Sequence, residues 1–422
     1  MFQVMSASWA LFLGMFMLMI GNGLQGTLLG LRGDLEGFST FALSIVMSAY
    51  FVGFLFSSRL TPDLIRRVGH VRVFAALGST ISAVLIMYPL LVDPWAWTIG
   101  RVIIGFCFCG VYVTAESWLN DASTNETRGK SLSLYLMVQM AGIVLAQFIV
   151  SQGDISGYTL FIVPSVLVSL AFAPILLSIR PMPQFAQTKP MTIRRLIEAS
   201  PLGCMGMFLL GGIFSAQFGM SAIYGARVGL SVNQISIFVS MIYIAALVAQ
   251  FPIGWLSDRI DRRLLILAMG VVGGLGALLA FFITDNFTVI LISAAILGGT
   301  SNPLYALLIA YTNDYLERED MAAASGGLLF INGLGAIAGP LIVGWMMDAL
   351  GANGFWIFSA VLMLMVGAYA AYRMSRRSRS QLDLESVPYS AISATSTPIA
   401  AEVAQDVYIE AEEEIEETGQ VS

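Results

Sequence analysis

Long apolar runs separated by short polar breaks organise almost the whole chain. A helix needs about 20 mostly apolar residues to cross a bilayer. Twelve stretches meet that need, roughly 7–31, 38–58, 73–91, 95–117, 131–151, 159–179, 202–226, 232–256, 264–284, 287–312, 322–347 and 354–372. The breaks carry turn chemistry or charge, as in Arg32-Gly33-Asp34, Asp93-Pro94 and Asp285-Asn286. One connection is longer. From Arg180 to Pro201 it holds four prolines together with Lys189, Arg194 and Arg195. The pattern predicts an all-α membrane protein of twelve transmembrane helices. A six-helix bundle would span residues 1–179, a linker 180–201, a second six-helix bundle 202–373, and a disordered acidic tail 374–422.

The two halves repeat one another. Tyr112 precedes Asn120-Asp121 by the spacing at which Tyr305 precedes Asn313-Asp314. At the same offset Trp118 meets Tyr311 and Gly142 meets Gly335. Near the second helix a slightly larger offset matches Met47 to Met241, Asp63 to Asp258 and Arg67 to Arg262. Recurrence at matching helices is what a duplicated six-helix unit predicts.

Basic residues orient the helices. With the N-terminus in the cytoplasm, 18 of the 21 Lys and Arg fall in cytoplasmic segments, while Arg32 and Arg227 fall outside and Arg101 lies within a helix. One missed helix would scramble that split, so both termini are expected in the cytoplasm. The first ten residues contain no Lys or Arg, so the first run is expected to be a retained helix rather than a cleaved signal.

Composition narrows the class. Of 422 residues 57% are hydrophobic and 11% charged, against roughly a quarter charged in a soluble domain, and the mean hydropathy is +0.80. Too few charges are present to cover a soluble surface. That excludes a soluble enzyme, a nucleic-acid binder and a disordered scaffold. The net charge of −6 is uneven: residues 381–422 hold ten acids and no base, leaving the membrane body mildly basic. This tail has no evident apolar stripe to dock and is expected to be dispensable for insertion. Arg373, Arg376, Arg377 and Arg379 precede it as a collar suited to anionic headgroups. Cys107, Cys109 and Cys204 sit in apolar runs without disulfide or metal-ligand spacing. His70, the only histidine, is expected at the surface of a basic loop. No nucleophile elbow, zinc motif or phosphate-cradling loop is present in the sequence, so no cofactor or metal is expected.

The strongest local motif is Gly254-Trp-Leu-Ser-Asp258-Arg259-Ile-Asp261-Arg262-Arg263. It resembles the signature loop of the major facilitator superfamily, G-x-x-x-D-R-x-G-R-R, with Asp261 in place of the second glycine. Gly254 would let helices approach closely and Asp258 would sit near a helix N-terminus, so the loop is expected to latch the cytoplasmic face. The first-half loop departs from the pattern, because Gly53 and Asp63 are too far apart. Its run Arg66-Arg67-Val-Gly69-His70-Val-Arg72, with Glu116-Ser-Trp118 and Arg128-Gly129, resembles the YcaD-like branch, whose members have no assigned substrate. Arg101-Val-Ile-Ile-Gly105 is similar to the superfamily's fourth-helix pattern R-x-x-x-G. Gly335-Ala-Ile-Ala-Gly339-Pro340 on helix eleven resembles an element that the superfamily's antiporters place on helix five. Here helix five lacks it, which argues against a drug/proton exchanger.

A charge inside a membrane helix costs at least ~2.5 kcal/mol and usually faces a cavity or partner. Arg101 is therefore the leading substrate-binding candidate, with Asn22, Gln25 and Gln217 at similar depth and Asn302 and Tyr305 nearer the midplane. The resemblance implies that helices one, four, seven and ten, which carry them, line the pathway. No carboxylate lies at Arg101's depth, so a small anion or polar solute is favoured over lipophilic cations. Glu116 lies fifteen residues further along the helix, about 22 Å away, and is expected to pair with arginines of the 59–72 loop. The expected cytoplasmic gate comprises Arg72, Glu116, Asp121, Arg128, Gly254, Asp258, Arg259, Arg262 and Asp314. Gly105, Gly335, Gly339 and Pro340 are expected at helix contacts. The resemblance implies a secondary transporter, monomeric in a bacterial inner membrane, with a small-molecule substrate, a coupling proton or other ion, and no nucleic-acid partner. A transporter-fold sensor or receptor and a drug efflux carrier are the alternatives, with a membrane-embedded enzyme more distant.

Overall fold

The computed structural model describes residues 2–121, 125–176, 191–283, 285–376, 389, 391–392, 397 and 399–400. These form fourteen α-helices and one π-helical turn, with no strand among the described residues. Eleven of the helices are long and apolar enough to cross a membrane. A twelfth apolar helix, α6 (Thr159–Leu176), is shorter and ends at the last residue described before 191.

In the first half α1 (Phe2–Leu35), α2 (Thr40–Val68), α3 (His70–Leu90), α4 (Pro94–Asp121) and α5 (Asn125–Gln152) precede α6. The second half has α8 (Pro201–Ser215), the π turn Ala216–Met220, α9 (Ser221–Arg227), α10 (Val232–Ser257), α11 (Arg262–Phe282), α12 (Phe287–Asn313), α13 (Arg318–Leu350) and α14 (Gly354–Arg376). Polar residues at the breaks start the helices by occupying orphan backbone N–H groups. Ser39 accepts from Ala42, Asp93 from Trp95 and Ala96, and Ser231 forms a reciprocal capping box with Gln234.

The same five helix pairings recur in each half. The pairs α1–α5, α1–α6, α2–α4, α3–α4 and α3–α6 correspond to α8–α13, α8–α14, α10–α12, α11–α12 and α11–α14. Glycine permits the closest approach. A Cβ on Gly105 of α4 would collide with the Tyr50 carbonyl of α2, and one on Gly53 with the Val102 carbonyl. Gly298 meets the Ile242 carbonyl in the corresponding α10–α12 pair. Large side chains such as Phe148, Phe251, Trp255, Phe282 and Trp345 are exposed on the outside, as a lipid-facing surface requires.

The halves meet along α2–α13, α5–α10 and α1–α9. One end of the bundle carries the arginine-rich connections 59–72 and 259–263. At the opposite end the halves touch directly. Arg227 pairs with Asp34 at 3.2 Å and donates to the Phe38 carbonyl, and a Cβ on Gly344 of α13 would run into Ser44 of α2.

Four features differ from the sequence expectation. The linker contains a helix, α7 (Ile193–Ala199), capped by Thr192. Its Leu196 is fully buried, and Arg195 pairs with Asp320 at 2.6 Å. Helix α14 continues to Arg376, past residue 373. His70 is 3% exposed: α2 stops at Gly69 (φ 86°) and α3 begins at once, which turns the imidazole onto Trp118 and within 3.2 Å of Ser117. Finally, Ile392, Thr397 and Ala400 are buried, so these tail residues do dock.

Candidate functional site

Three of the polar residues singled out in the first half form one chain. Asn22 and Gln25 are three apart on α1, hence on one face. The Gln25 amide donates to Asn22 Oδ1 at 2.9 Å, and Asn22 donates to the Tyr112 hydroxyl at 2.9 Å and the Tyr50 hydroxyl at 3.4 Å. Arg101 Nη1 donates to Gln25 Oε1 at 2.9 Å, and its guanidinium lies 4.7 Å from the centre of the Tyr50 ring. The side chain is fully buried, so it does not snorkel to the surface. Its Nε and the nearby Tyr88 hydroxyl have no hydrogen-bond partner among the described residues. Among the described residues no carboxylate contacts it. The site therefore presents a fixed cation with unused donor capacity inside an apolar body.

The second-half residues gather separately. Gln217 sits in the π turn, a distortion frequent at functional sites. Its amide donates to Ser301 Oγ at 2.7 Å, and Asn302 donates to Gln217 Oε1 at 3.3 Å and to the Gly298 carbonyl at 3.2 Å. Ser301 is a member that the sequence reading missed, because a lone serine in an apolar helix carries no signal. Tyr305 is 2% exposed on the same helix. Met47 joins the two groups. Its sulfur faces Arg101 Nη2 at 3.7 Å, and its Cβ would lie 2.9 Å from a Cβ on Gly219 of the π turn. Tyr50 also packs on Phe218 and lines a cavity of ≈ 20 Å³ between α2, α8 and α13, room for about one water.

At the arginine-rich end Arg262 is the centre. It is 4% exposed. It bonds the Asp314 carboxylate, the Ala310 carbonyl at 3.2 Å and Ser257 Oγ at 3.2 Å, and stands 3.7 Å from Asp258. Asp261, where the family pattern has glycine, has a negative φ. It caps α11 by accepting from the Arg263 N–H and pairs with that side chain at 2.8 Å. Arg259 turns outward onto Trp255. Arg72 is exposed. Asp63 pairs with its neighbour Arg66 rather than latching anything. The side chains of Asp121 and Arg128 lie outside those described. Gly335 and Gly339 press against the α8 backbone at Phe208 and Gly212, and Pro340 follows them within α13. Arg59 crosses to the Phe330 ring of the other half at 4.2 Å.

Among the described residues Glu116 has no arginine partner. It is 1% exposed and accepts from Thr397 of the tail and from the Tyr135 hydroxyl at 3.4 Å. Gly254 does not bring two helices together. The ring of Tyr389 lies over it, 2.6 Å from where a Cβ would stand. Among the described residues no cluster of His, Cys, Asp and Glu could hold a metal.

The sequence pattern of the Major Facilitator Superfamily matches residues 11–227 and again 202–401. An uncharacterised MFS-type transporter YcaD of Escherichia fergusonii is 25% identical over 351 residues, covering 82% of this chain and 90% of the relative. An uncharacterised MFS-type transporter of Enterobacter sp. (strain 638) is 28% identical over 352 residues, with the same coverage. Among solved structures, a mutant of the nucleoside transporter NupG superposes with a TM-score of 0.75 at 15% identity, covering 87% of this chain and all of that one. A bacterial homologue of the human lysosomal transporter Spinster superposes at 0.67 and 17% identity, covering 97% and 95%. With twelve apolar helices in two matching halves and the family pattern found in each, the chain belongs to the Major Facilitator Superfamily and is a multi-pass membrane transporter, not an enzyme.

Proposed function

We propose that the protein is a secondary carrier for a small anionic or strongly hydrogen-bonding solute, and that Arg101 anchors that solute in the pathway between the halves. The observation that carries this reading is the buried guanidinium of Arg101. It is held in place by Gln25 and Tyr50 and, among the described residues, its Nε has no partner and it meets no carboxylate. A cation kept in a low-dielectric site without a counter-ion is costly, and an anion delivered there by the substrate would relieve that cost. Asn22, Gln25, Gln217, Ser301 and Asn302 supply further donors and acceptors from both halves. The drive is an ion gradient or exchange, since no nucleotide site is present. The arginine-rich end faces the cytoplasm of a bacterial cell on the basic-residue count. In that orientation the opposite, outer end is the one closed by direct contact between the halves, and the cycle consists of the two bundles rocking about the Arg101 layer.

The test uses purified protein and a panel of small carboxylates, phosphate and sugars beside lipophilic quaternary ammonium dyes, read as thermal stabilisation and then as flux in proteoliposomes. An anionic or polar solute should stabilise and be carried. Charge-assisted hydrogen bonds are worth about 1.5–3 kcal/mol, so Arg101→Gln should weaken binding roughly 10- to 100-fold. Arg101→Lys, which keeps charge but loses the planar fork, should fall between. Equal binding by both variants, or selective binding of the cationic dyes, refutes the reading.

A further inference from the structure

Residues 386–401 carry no charged side chain, although Asp383 and Glu385 precede them and acidic residues recur from Glu402 onward. The described residues of this stretch contact both halves at the arginine-rich end. Tyr389 belongs to the second-half contact. Its backbone N–H donates to Asp258 Oδ1 at 2.9 Å, and its hydroxyl donates to Gln250 Oε1 at 2.7 Å. Its ring occupies the space that Gly254 leaves empty. Burial pushes its hydroxyl far above the ordinary tyrosine range, with the Asp258 charge adding to the effect, so it remains a donor. Thr397, 1% exposed, belongs to the first half. Its N–H lies 3.0 Å from Glu116 Oε2, and its hydroxyl bonds the same oxygen. Ile392 sits between the halves, beside Leu136 and Met140 of α5, Ala246 and Gln250 of α10, and Asn302 of α12. The Gln250 amide reaches its carbonyl at 3.5 Å.

From these contacts we infer that Tyr389, Ile392 and Thr397 act as an internal plug, seated between the halves on Asp258 and Glu116, which must withdraw before this end of the pathway can admit a solute. The chain can reach the seat, because the twelve residues between Arg376 and Tyr389 give thirteen Cα steps, up to about 45 Å when extended. The seat is specific. Glu116 is a buried carboxylate whose contacts among the described residues, apart from Tyr135, come from the tail. A buried carboxyl group so placed needs hydrogen-bond partners, and Thr397 gives two. The seat is also reversible in principle, since the stretch is Ser/Thr-rich in sequence and the large side chains that pack among its described residues are Tyr389, Ile392 and Ile399. Deeper entry is opposed by the flanking carboxylates, which are expensive among apolar helices. The inference stands apart from the role of Arg101.

Accessibility tests it without a known substrate. Ala246→Cys places a thiol beside Ile392, and the three native cysteines are buried. In inside-out vesicles a membrane-impermeant maleimide should label this thiol slowly in the full chain. Labelling should be at least tenfold faster when the chain ends at Arg379, and likewise in Thr397→Asp, which sets a like charge against Glu116. Thr397→Ser, which keeps the hydroxyl, should label like the full chain. A synthetic peptide of residues 386–401 should slow labelling of the truncated protein again, whereas a peptide with Tyr389 and Thr397 changed to alanine should not. Equal rates in the full chain, the truncation and Thr397→Asp overturn the inference. So does a truncation that fails to fold while a monodisperse Thr397→Asp still labels at the full-chain rate.

Discussion

Arg262 offers a measurable contrast with its neighbour Arg259 in the same loop. The guanidinium of Arg262 is 4% exposed and the Asp314 carboxylate 12%. The same guanidinium also bonds Ala310 and Ser257 and faces Asp258. Removing one partner of such a buried pair typically costs about 3–5 kcal/mol, because the other charge is left without compensation. Arg262→Gln should fall in that range. Asp314→Asn should cost somewhat less, since the amide oxygen still accepts. The double variant should be little worse than Arg262→Gln alone, a coupling of about 2 kcal/mol or more, because the two side chains share one interaction. Arg259, stacked outward on Trp255, should tolerate glutamine at about 1 kcal/mol or less. Equilibrium unfolding in mixed micelles, with the fraction of denaturing detergent as the variable, measures all four. Additive costs for the Arg262 and Asp314 changes, or an Arg259→Gln variant as damaged as Arg262→Gln, would refute the assignment of Arg262 as the centre of this end.

Two further outcomes follow from packing. Gly105→Val drives a side chain into the Tyr50 carbonyl and should cost about 3 kcal/mol or more as overpacking, seen as a loss of monodisperse protein; Gly298→Val should do the same through the Ile242 carbonyl, and a normal yield from both would contradict the close α2–α4 and α10–α12 contacts. Arg227→Ala removes an ion pair whose side chains are 37% and 32% exposed, so the unfolding free energy should change by less than about 1 kcal/mol, and a loss of several would mean that charge, not helix packing, closes that end.

Hydropathy located every membrane helix but measured the bilayer rather than the helix. The second apolar run ends near residue 58, whereas α2 continues to Val68, because Arg59, Asp63, Arg66 and Arg67 can be helical in water and the Asp63–Arg66 pair supports the turn. Asn22, Gln25 and Arg101 were legible because polar groups in apolar runs are costly and rarely idle. Their joining through Met47 and the π turn was not, since a π turn adds no residue type of its own. Glu116 was legible as a buried carboxylate, but its partner was not. Average composition made residues 381–422 read as one acidic tail, and the uncharged stretch around Tyr389, Ile392 and Thr397 disappeared in that average. The histidine erred in the opposite sense: a basic neighbourhood suggested solvent, while the helix break at Gly69 folds the ring inward.

The repeated set of helix pairings has a consequence for biogenesis. The main packing partners of α3 and α6 lie within the first half and those of α11 and α14 within the second, while α1, α2 and α5 form the seam with the π turn, α9, α10 and α13. A ribosome delivers the chain from the N-terminus, so the first six membrane helices can complete their own packing while the second six are still being made. Leu196, packed against Gly327, and the Arg195–Asp320 pair then fasten α7 to α13 of the later half. The connection between the halves therefore acts as part of the second folding unit, and the two units need only find each other across the seam, as two subunits joined by a tether would.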